Sequence, residues 1–454
     1  MSTDLKQLAT DVVKRAMAGG AYAAESVVRE GDEFSSVVRL GQVETLKESG
    51  GRSMGLRVFF KANGEGQRAA STYTSDFSKD GVDQMIAGAL ALARITSADP
   101  HGGLPAADQF GQLSGDLALY YDDVYSLPTE ERIAQARRAE QAALSADQRI
   151  SNSDGGSFDT ATGRKVLANS LGFVGEYRRS YCSLSAVPIA QQDGAMQRDF
   201  WYSVARTLTK LESPESVGKM AAERTVRRLG ARKVPTARVP VVFEPLVARS
   251  LVENIFEAVN GDAIYRGASF LAGKLGEQVA GSNVNVIDDG TIPGGFGTSP
   301  FDGEGVPSRR TVVIERGVLK SYLLNTYTAR KLGLATTGNA SRGLAGTPGI
   351  GVGNFFLEAG SKTAAEIIGE VPDGLYVTEF LGFGVNLVTG DFSRGASGLW
   401  IRNGELAFPV VEITVAGNLR EMIHNITAIG SDLEFRGAVA SPTIRIDGLT
   451  VAGE

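Results

Sequence analysis

Apolar residues at Leu5, Leu8, Val12, Val13 and Ala16 recur at helical spacing, which predicts a helix over 4–18 stopped by Gly19-Gly20. Polar and apolar residues then alternate through 25–29, 33–39, 42–48, 52–60 and 67–73, the period of strands. The run Ser53-Met54-Gly55-Leu56-Arg57-Val58-Phe59-Phe60 is the plainest, with branched and aromatic residues supporting it. Helical spacing returns over 76–95 through Val82, Met85, Ile86, Ala89 and Leu90. A polar, turn-rich connection occupies 97–127. The same order then recurs. A helix over 129–145 opens on an imperfect capping box, Thr129-Glu130-Glu131-Arg132, and strand-like runs follow at 149–159, 160–169, 172–187 and 196–208. A helix over 214–229 closes the unit. The helix–strands–helix unit occurs twice, as a repeat of pattern and not of residues.

The pattern changes at 233–238. Of the 56 glycines, 33 fall in 238–454, and short strands at 311–314, 374–380, 398–402, 405–407 and 443–446 are separated by tight-turn pairs such as Asp289-Gly290 and Asp447-Gly448. Such spacing fits an antiparallel sheet closed into a sandwich or barrel. Asn403-Gly404 marks the clearest hairpin, because both residues tolerate the positive φ of a type I′ turn. The expected fold is α+β. Residues 1–235 form a domain of helices packed on antiparallel sheets, and 236–454 form a glycine-rich β domain.

Composition narrows the chemistry. A chain of 454 residues with 43% hydrophobic residues can bury full cores without covalent staples. Cys182 is the single cysteine, so no internal disulfide exists, which suits a reducing compartment. His101, Cys182 and His424 are all the histidine and cysteine present, too few and too scattered for a tetrahedral zinc site. A net charge of −6 argues against a nucleic-acid partner. The opening MSTDLKQLATDVVKRAM lacks the apolar core of a secretory signal, and no run of 18 apolar residues would span a membrane. A soluble, cytoplasmic protein is expected.

The candidate chemistry is sparse. Gly349-Ile350-Gly351-Val352-Gly353 reads as a loop or bulge in preference to a phosphate cradle, because Pro348 precedes it and no amphipathic helix follows. His101 lies in a turn-rich linker and reads as a solvated loop histidine; His424 reads as a helix-boundary histidine. Cys182 alternates within a strand as a small core residue, with nothing nearby to lower its pKa. The acidic loop Phe301-Asp302-Gly303-Glu304-Gly305-Val306-Pro307 fits either a metal or peptide contact or an ordinary exposed turn.

The helix at 245–260, with its apolar face of Leu251, Val252, Ile255, Phe256 and Val259, leads into Gly261-Asp262-Ala263-Ile264-Tyr265-Arg266-Gly267-Ala268-Ser269. Here, in Thr311-Val312-Val313-Ile314-Glu315-Arg316-Gly317-Val318-Leu319-Lys320, and in Ile429-Gly430-Ser431-Asp432-Leu433, the sequence resembles the TldD/TldE family of two-subunit bacterial metallopeptidases, also called PmbA. The resemblance covers nearly the whole chain. The family's catalytic subunit, TldD, carries His-Glu-x-x-x-His in the equivalent helix, where histidines ligate zinc and the glutamate can act as a base on metal-bound water. Counting back from Arg266-Gly267-Ala268-Ser269, that motif falls on Val252-Glu253-Asn254-Ile255-Phe256-Glu257. Both histidine positions are lost, at Val252 and Glu257, and only Glu253 is kept. The late cysteine ligand is also missing from the shortened 434–442 segment.

The resemblance therefore implies the family's metal-free subunit, TldE/PmbA. It implies no metal or cofactor in this chain, zinc in a TldD-like catalytic partner, and an unfolded peptide as substrate. In isolation a homodimer is the expected assembly. Asp302, Gly303 and Glu304 are carried forward as a loop facing substrate or partner. Glu253 and Glu257 read as a solvated i,i+4 acidic pair. Two alternatives stay open: an autonomous hydrolase using Glu253, Glu257, Asp302 and Glu304, and a non-proteolytic homodimeric scaffold.

Overall fold

A computed structural model describes residues 4–62 and 66–453; Met1 and Glu454, the outer ends of the two expected domains, lie outside the described residues. Helix α1 (Leu5–Ala18) starts where the Asp4 carboxylate accepts the amides of Lys6 and Gln7. It leads into β1 (Ala23–Arg39), β2 (Gln42–Lys61), β3 (Gln67–Thr74) and α2 (Lys79–Ile95). The second unit is α3 (Thr129–Ala146), β4 (Ile150–Asn169), β5 (Val174–Gln192), β6 (Ala195–Arg198), β7 (Trp201–Ala205) and α4 (Pro214–Val226). The helix 129–145 runs as expected, but its N-cap, Pro128, makes no side-chain cap, so the capping box is absent.

Both units feed one antiparallel sheet in the order β3-β2-β1-β4-β5-β6, with β7 also on β5. The repeat of pattern thus becomes two meanders joined through β1 and β4. The alternating runs at 25–29 and 33–39 are a single strand, as are those at 42–48 and 52–60 and those at 149–159 and 160–169. What read as breaks are glycines that stay in register: Gly31 pairs with Gly51 on β2 and with Gly163 on β4. Along the strands, one side of this glycine row carries a core of Val28, Met54 and Val166 under α1 and α2. The other side carries Phe34, Phe158 and Leu184 under α3 and α4. A Cβ on Gly31 would lie 2.3 Å from the Thr162 carbonyl oxygen, so the strands approach there as only glycine permits.

In the second half β8 (Ala237–Phe243) enters a closed five-stranded barrel with the strands Asp373–Leu381, Asp391–Arg402, Glu405–Asn418 and Ile444–Ala452. Four of its pairings are antiparallel. The pairing of β8 with Asp373–Leu381 is parallel, because more than a hundred residues, including helix α5 (Pro245–Val259), cross over between them. Asn403 and Gly404, with φ of 51° and 79°, make the expected hairpin turn. A second sheet is built on Val286–Asp289, with Arg310–Glu315 and Phe355–Leu357 beside it and Val439–Ala440 at its edge. Helix α5 buries Val247, Leu251, Val252 and Ile255 in the core that barrel and sheet share. Among the described residues no helix is long and apolar enough to cross a membrane.

Candidate functional site

Pro245 opens α5 at its first helical position, and Glu244 precedes it without capping it. The Glu244 carboxylate is engaged elsewhere: it accepts two hydrogen bonds from Arg224 of α4, at 2.6 and 3.1 Å, and one from Arg227 at 3.1 Å. The second unit therefore clamps the start of the helix. Val252 is 1% exposed, an apolar side chain wedged in the core. Glu253 projects outward and pairs with Arg249 one turn earlier, at 3.5 Å. Glu257 also lies on the outer face; partial burial, and then the Glu253 charge, raise its pKa.

Arg249 fills the space between α5 and the 434–442 segment. Its Nη1 reaches Tyr202 Oη at 3.4 Å and would stand 3.9 Å from a Cβ built on Gly437. The segment is braced from the second unit as well, since Arg436 stacks on Trp201 (4.2 Å to the ring centre) and pairs with Glu212 at 3.0 Å. A cavity of about 270 Å³ remains between these elements, walled by Trp201, Glu244, Arg249, Tyr376, Arg436 and Ser441. The donor set does not fit zinc. A valine offers no lone pair, Glu253 is paired with the Arg249 guanidinium, and among the described residues no three His, Cys, Asp or Glu side chains converge. Arg224, Arg249 and Arg436 carry no local signal in the sequence apart from the i,i+4 spacing of Arg249 to Glu253.

The acidic loop departs from expectation. Asp302 and Glu304 are 6% and 2% exposed, so the segment is not an ordinary exposed turn. Its cover comes from the 97–127 connection, where Gly111 donates to the Gly305 carbonyl at 3.1 Å and Leu113 to that of Pro300 at 2.9 Å. Phe110 stacks on Phe173, and Phe173 meets Phe301 edge to face. Asp302 accepts the amides of Glu304, Val306 and Ala340 at 2.8–3.0 Å, and Glu304 accepts that of Thr326 at 2.9 Å. Burial, and then the neighbouring Glu304, push Asp302 up to about 7; burial likewise raises Glu304. These carboxylates organise backbone, and Asp302 and Gly303 face an internal cavity.

Of the remaining candidates, Cys182 and His424 stand apart from both places, whereas His101 and the 349–353 run line cavities that the acidic loop also lines. Cys182 is fully buried, its thiol donating to the Ala205 carbonyl, and burial pushes it up to about 12, as expected of an inert core residue. His424 ends a short helix, Leu419–His424, on the exposed surface. His101 is half-buried in the wall of another cavity, where its carbonyl accepts from Arg330. Gly349-Ile350 forms a short strand against Ala340-Ser341, and a Cβ on Gly353 would lie 2.6 Å from the Gly290 nitrogen. That run is a packing bulge.

Three family models match the chain. They are the PmbA/TldA metallopeptidase domain 1 over 24–93, the central domain over 122–229 and the C-terminal domain over 236–453. The chain is 36% identical to metalloprotease PmbA of Escherichia coli O157:H7, over 96% of its own length and 93% of that protein's. It is 35% identical to the PmbA homologue of Haemophilus influenzae, over 99% and 96%. A solved structure from Bacteroides thetaiotaomicron, assigned provisionally as a modulator of DNA gyrase, superposes with a TM-score of 0.91 over the full length of both chains at 28% identity. TldE of Thermococcus kodakarensis shares the fold, with a TM-score of 0.87 at 20% identity over 98% of this chain and 99% of that one.

Proposed function

The chain belongs to the PmbA/TldD metallopeptidase family, and from that premise we propose that it is the metal-free member of a two-subunit zinc peptidase acting on unfolded peptides. The zinc resides in a TldD-like catalytic partner; this chain completes the chamber and helps to hold the peptide. One observation carries the reading. Where the catalytic subunit is expected to present its metal ligands, this chain has a core valine, a surface glutamate and an arginine whose guanidinium reaches the segment that lacks the cysteine. The edge strand Val439–Ala440 within that segment offers backbone groups to which an extended peptide could pair. The single buried thiol suits the cytoplasm, where the reading sets the complex.

The carboxylate hydrolase is the less supported reading, because Glu253 and Glu257 lie on the outer face of α5 while Asp302 and Glu304 are buried and accept backbone amides of other residues. Purifying the chain alone and with a TldD-like paralogue, then measuring zinc and cleavage of an unfolded peptide, tests the proposal. Zinc and cleavage are expected only when the paralogue is present. Stoichiometric zinc and cleavage by the lone chain would overturn it.

A further inference from the structure

Arg29 on β1, Lys165 on β4 and Tyr177 on β5 form one cross-strand row, with Arg29 paired in register to Lys165 and Lys165 to Tyr177. Residues so paired share a face of the sheet. Here it is the face turned toward the second half of the chain, where Val27 and Leu167 pack on Phe301. Arg179 follows two positions along β5, on the same face, and donates to Tyr177 Oη at 2.6 Å. Like charges directly opposite on neighbouring strands repel, so the pairing of Arg29 with Lys165 is unfavourable by itself.

The row opens into a cavity of about 420 Å³ that Arg309 and Arg342 also line. Arg342 has a side chain only 1% exposed, and its Nε and Nη2 have no hydrogen-bond acceptor. Its ion-pair partner, Glu25 at 2.8 Å, is shared with Arg57 at 2.5 Å, and the buried Glu304, whose pKa burial raises, also acts on both guanidiniums. Arg29 Nε is likewise buried without an acceptor, while its Nη2 donates to the Arg342 carbonyl. Among the described residues no carboxylate lies within ion-pair distance of Lys165. Its amine stands 5.9 Å from the Tyr177 ring centre; burial, and then the charges of Arg29, Arg179 and Arg342, lower its pKa, while Tyr177 opposes the shift.

Two carboxylates face this cavity, and neither neutralises it. Asp288 accepts from Asn339 Nδ2 and from the Gly353 amide, both at 2.7 Å, and Asp302 is held by three amides. Burial raises both, Asp288 to about 6 and Asp302 to about 7, so each is partly protonated near neutrality. Cationic side chains with unfilled donors, gathered in a concave space, make a receptor for negative charge.

We propose that this cavity binds an oxyanion, a carboxylate or a phosphate, held by Arg29, Lys165, Arg179 and Arg342. Its volume exceeds what a lone phosphate fills and admits the carboxyl-terminal residue of a peptide. The assignment is independent of the metal-free reading, since none of its four cationic side chains belongs to α5 or to the 434–442 segment.

Titration calorimetry on the full chain, with inorganic phosphate, with an N-acetylated alanine tripeptide bearing a free carboxylate and with its carboxamide, tests the site. Phosphate or the free-carboxylate peptide is expected to bind, at least tenfold more weakly in Arg179→Gln and in Lys165→Gln. Arg179 is surface-exposed, so its substitution leaves the core undisturbed. A tenfold preference for carboxylate over carboxamide assigns the site to a peptide end; phosphate binding without that preference assigns it to a small free anion. Lys165→Gln should also melt no lower than the parent in anion-poor buffer, because it removes a like-charge pairing. Absence of binding by every probe, or binding unchanged in both variants, overturns the site. Because binding is read on the lone chain, its failure leaves the subunit reading intact, and zinc in the lone chain leaves this site intact.

Discussion

Arg224 of α4 donates to both carboxylate oxygens of Glu244, the residue before α5, at 2.6 and 3.1 Å, with both side chains almost fully buried. This contact fastens the degenerate helix to the first half of the chain. Breaking a buried pair strands the surviving charge, which costs about 3–5 kcal/mol, whereas removing both charges costs less. Arg224→Met is therefore expected to lower unfolding stability by about 3 kcal/mol. The Arg224→Met/Glu244→Gln double variant should lose less than the sum of the singles, as read from urea denaturation midpoints.

The glycine row gives a matched comparison. A Cβ on Gly31 meets the Thr162 carbonyl at 2.3 Å, whereas Gly51, its partner on β2, has nothing within 4 Å. Gly31→Ala should cost about 1–3 kcal/mol through forced backbone shifts. Gly51→Ala should stay within about 0.5 kcal/mol. Thermal melts of the two variants check this, and equal losses would contradict the close approach.

Asp302 and Asp288 set a pH dependence. Their folded pKa values, about 7 and about 6, lie above the ordinary carboxylate value of 3.8. Between those limits the folded state holds more protons than the unfolded state, so their contribution to stability falls as pH rises from about 4 to about 7. Unfolding measured at pH 5 and pH 8 should show this fall, and Asp302→Asn should flatten it. A slope unchanged in the variant would remove Asp302 as its source.

Glu253 and Glu257 are expected to be dispensable for chemistry. Glu253→Gln and Glu257→Gln, each combined with a TldD-like partner, should leave peptide cleavage within about twofold of the parent. Removing one charge of a like-charged i,i+4 pair should change stability by no more than about 0.5 kcal/mol. A tenfold loss of cleavage in either variant would give that carboxylate a direct role.

The helices were legible because a 3.6-residue apolar period needs only local sequence. Leu5–Val13 and Val82–Leu90 announce α1 and α2 without reference to anything distant. Strand continuity was not legible. Gly31, Gly51 and Gly163 look like punctuation until register shows that the glycines of three strands meet. The acidic loop misled for the same reason, since its covers, Phe110, Gly111 and Phe173, lie between 128 and 194 positions upstream of Gly305 and Phe301 in the chain. Arg29, Lys165 and Tyr177 are ordinary polar positions of alternating strands, and only pairing across the sheet turns them into a charged row. At α5 the residues spoke more directly: a valine where a ligand belongs is visible in one line of sequence, and the structure adds the arginine beside it.

The joint between β1 and β4 bears on biogenesis. Residues 25–38 of β1 must wait for residues 156–169 before that edge of the strand is covered. During synthesis the first meander therefore emerges with a long, half-finished border, the kind of surface that recruits other extended chains. Slowing translation between residues 95 and 150 should lengthen that interval and favour mispairing between nascent copies, while a supply of the detached second meander should rescue it.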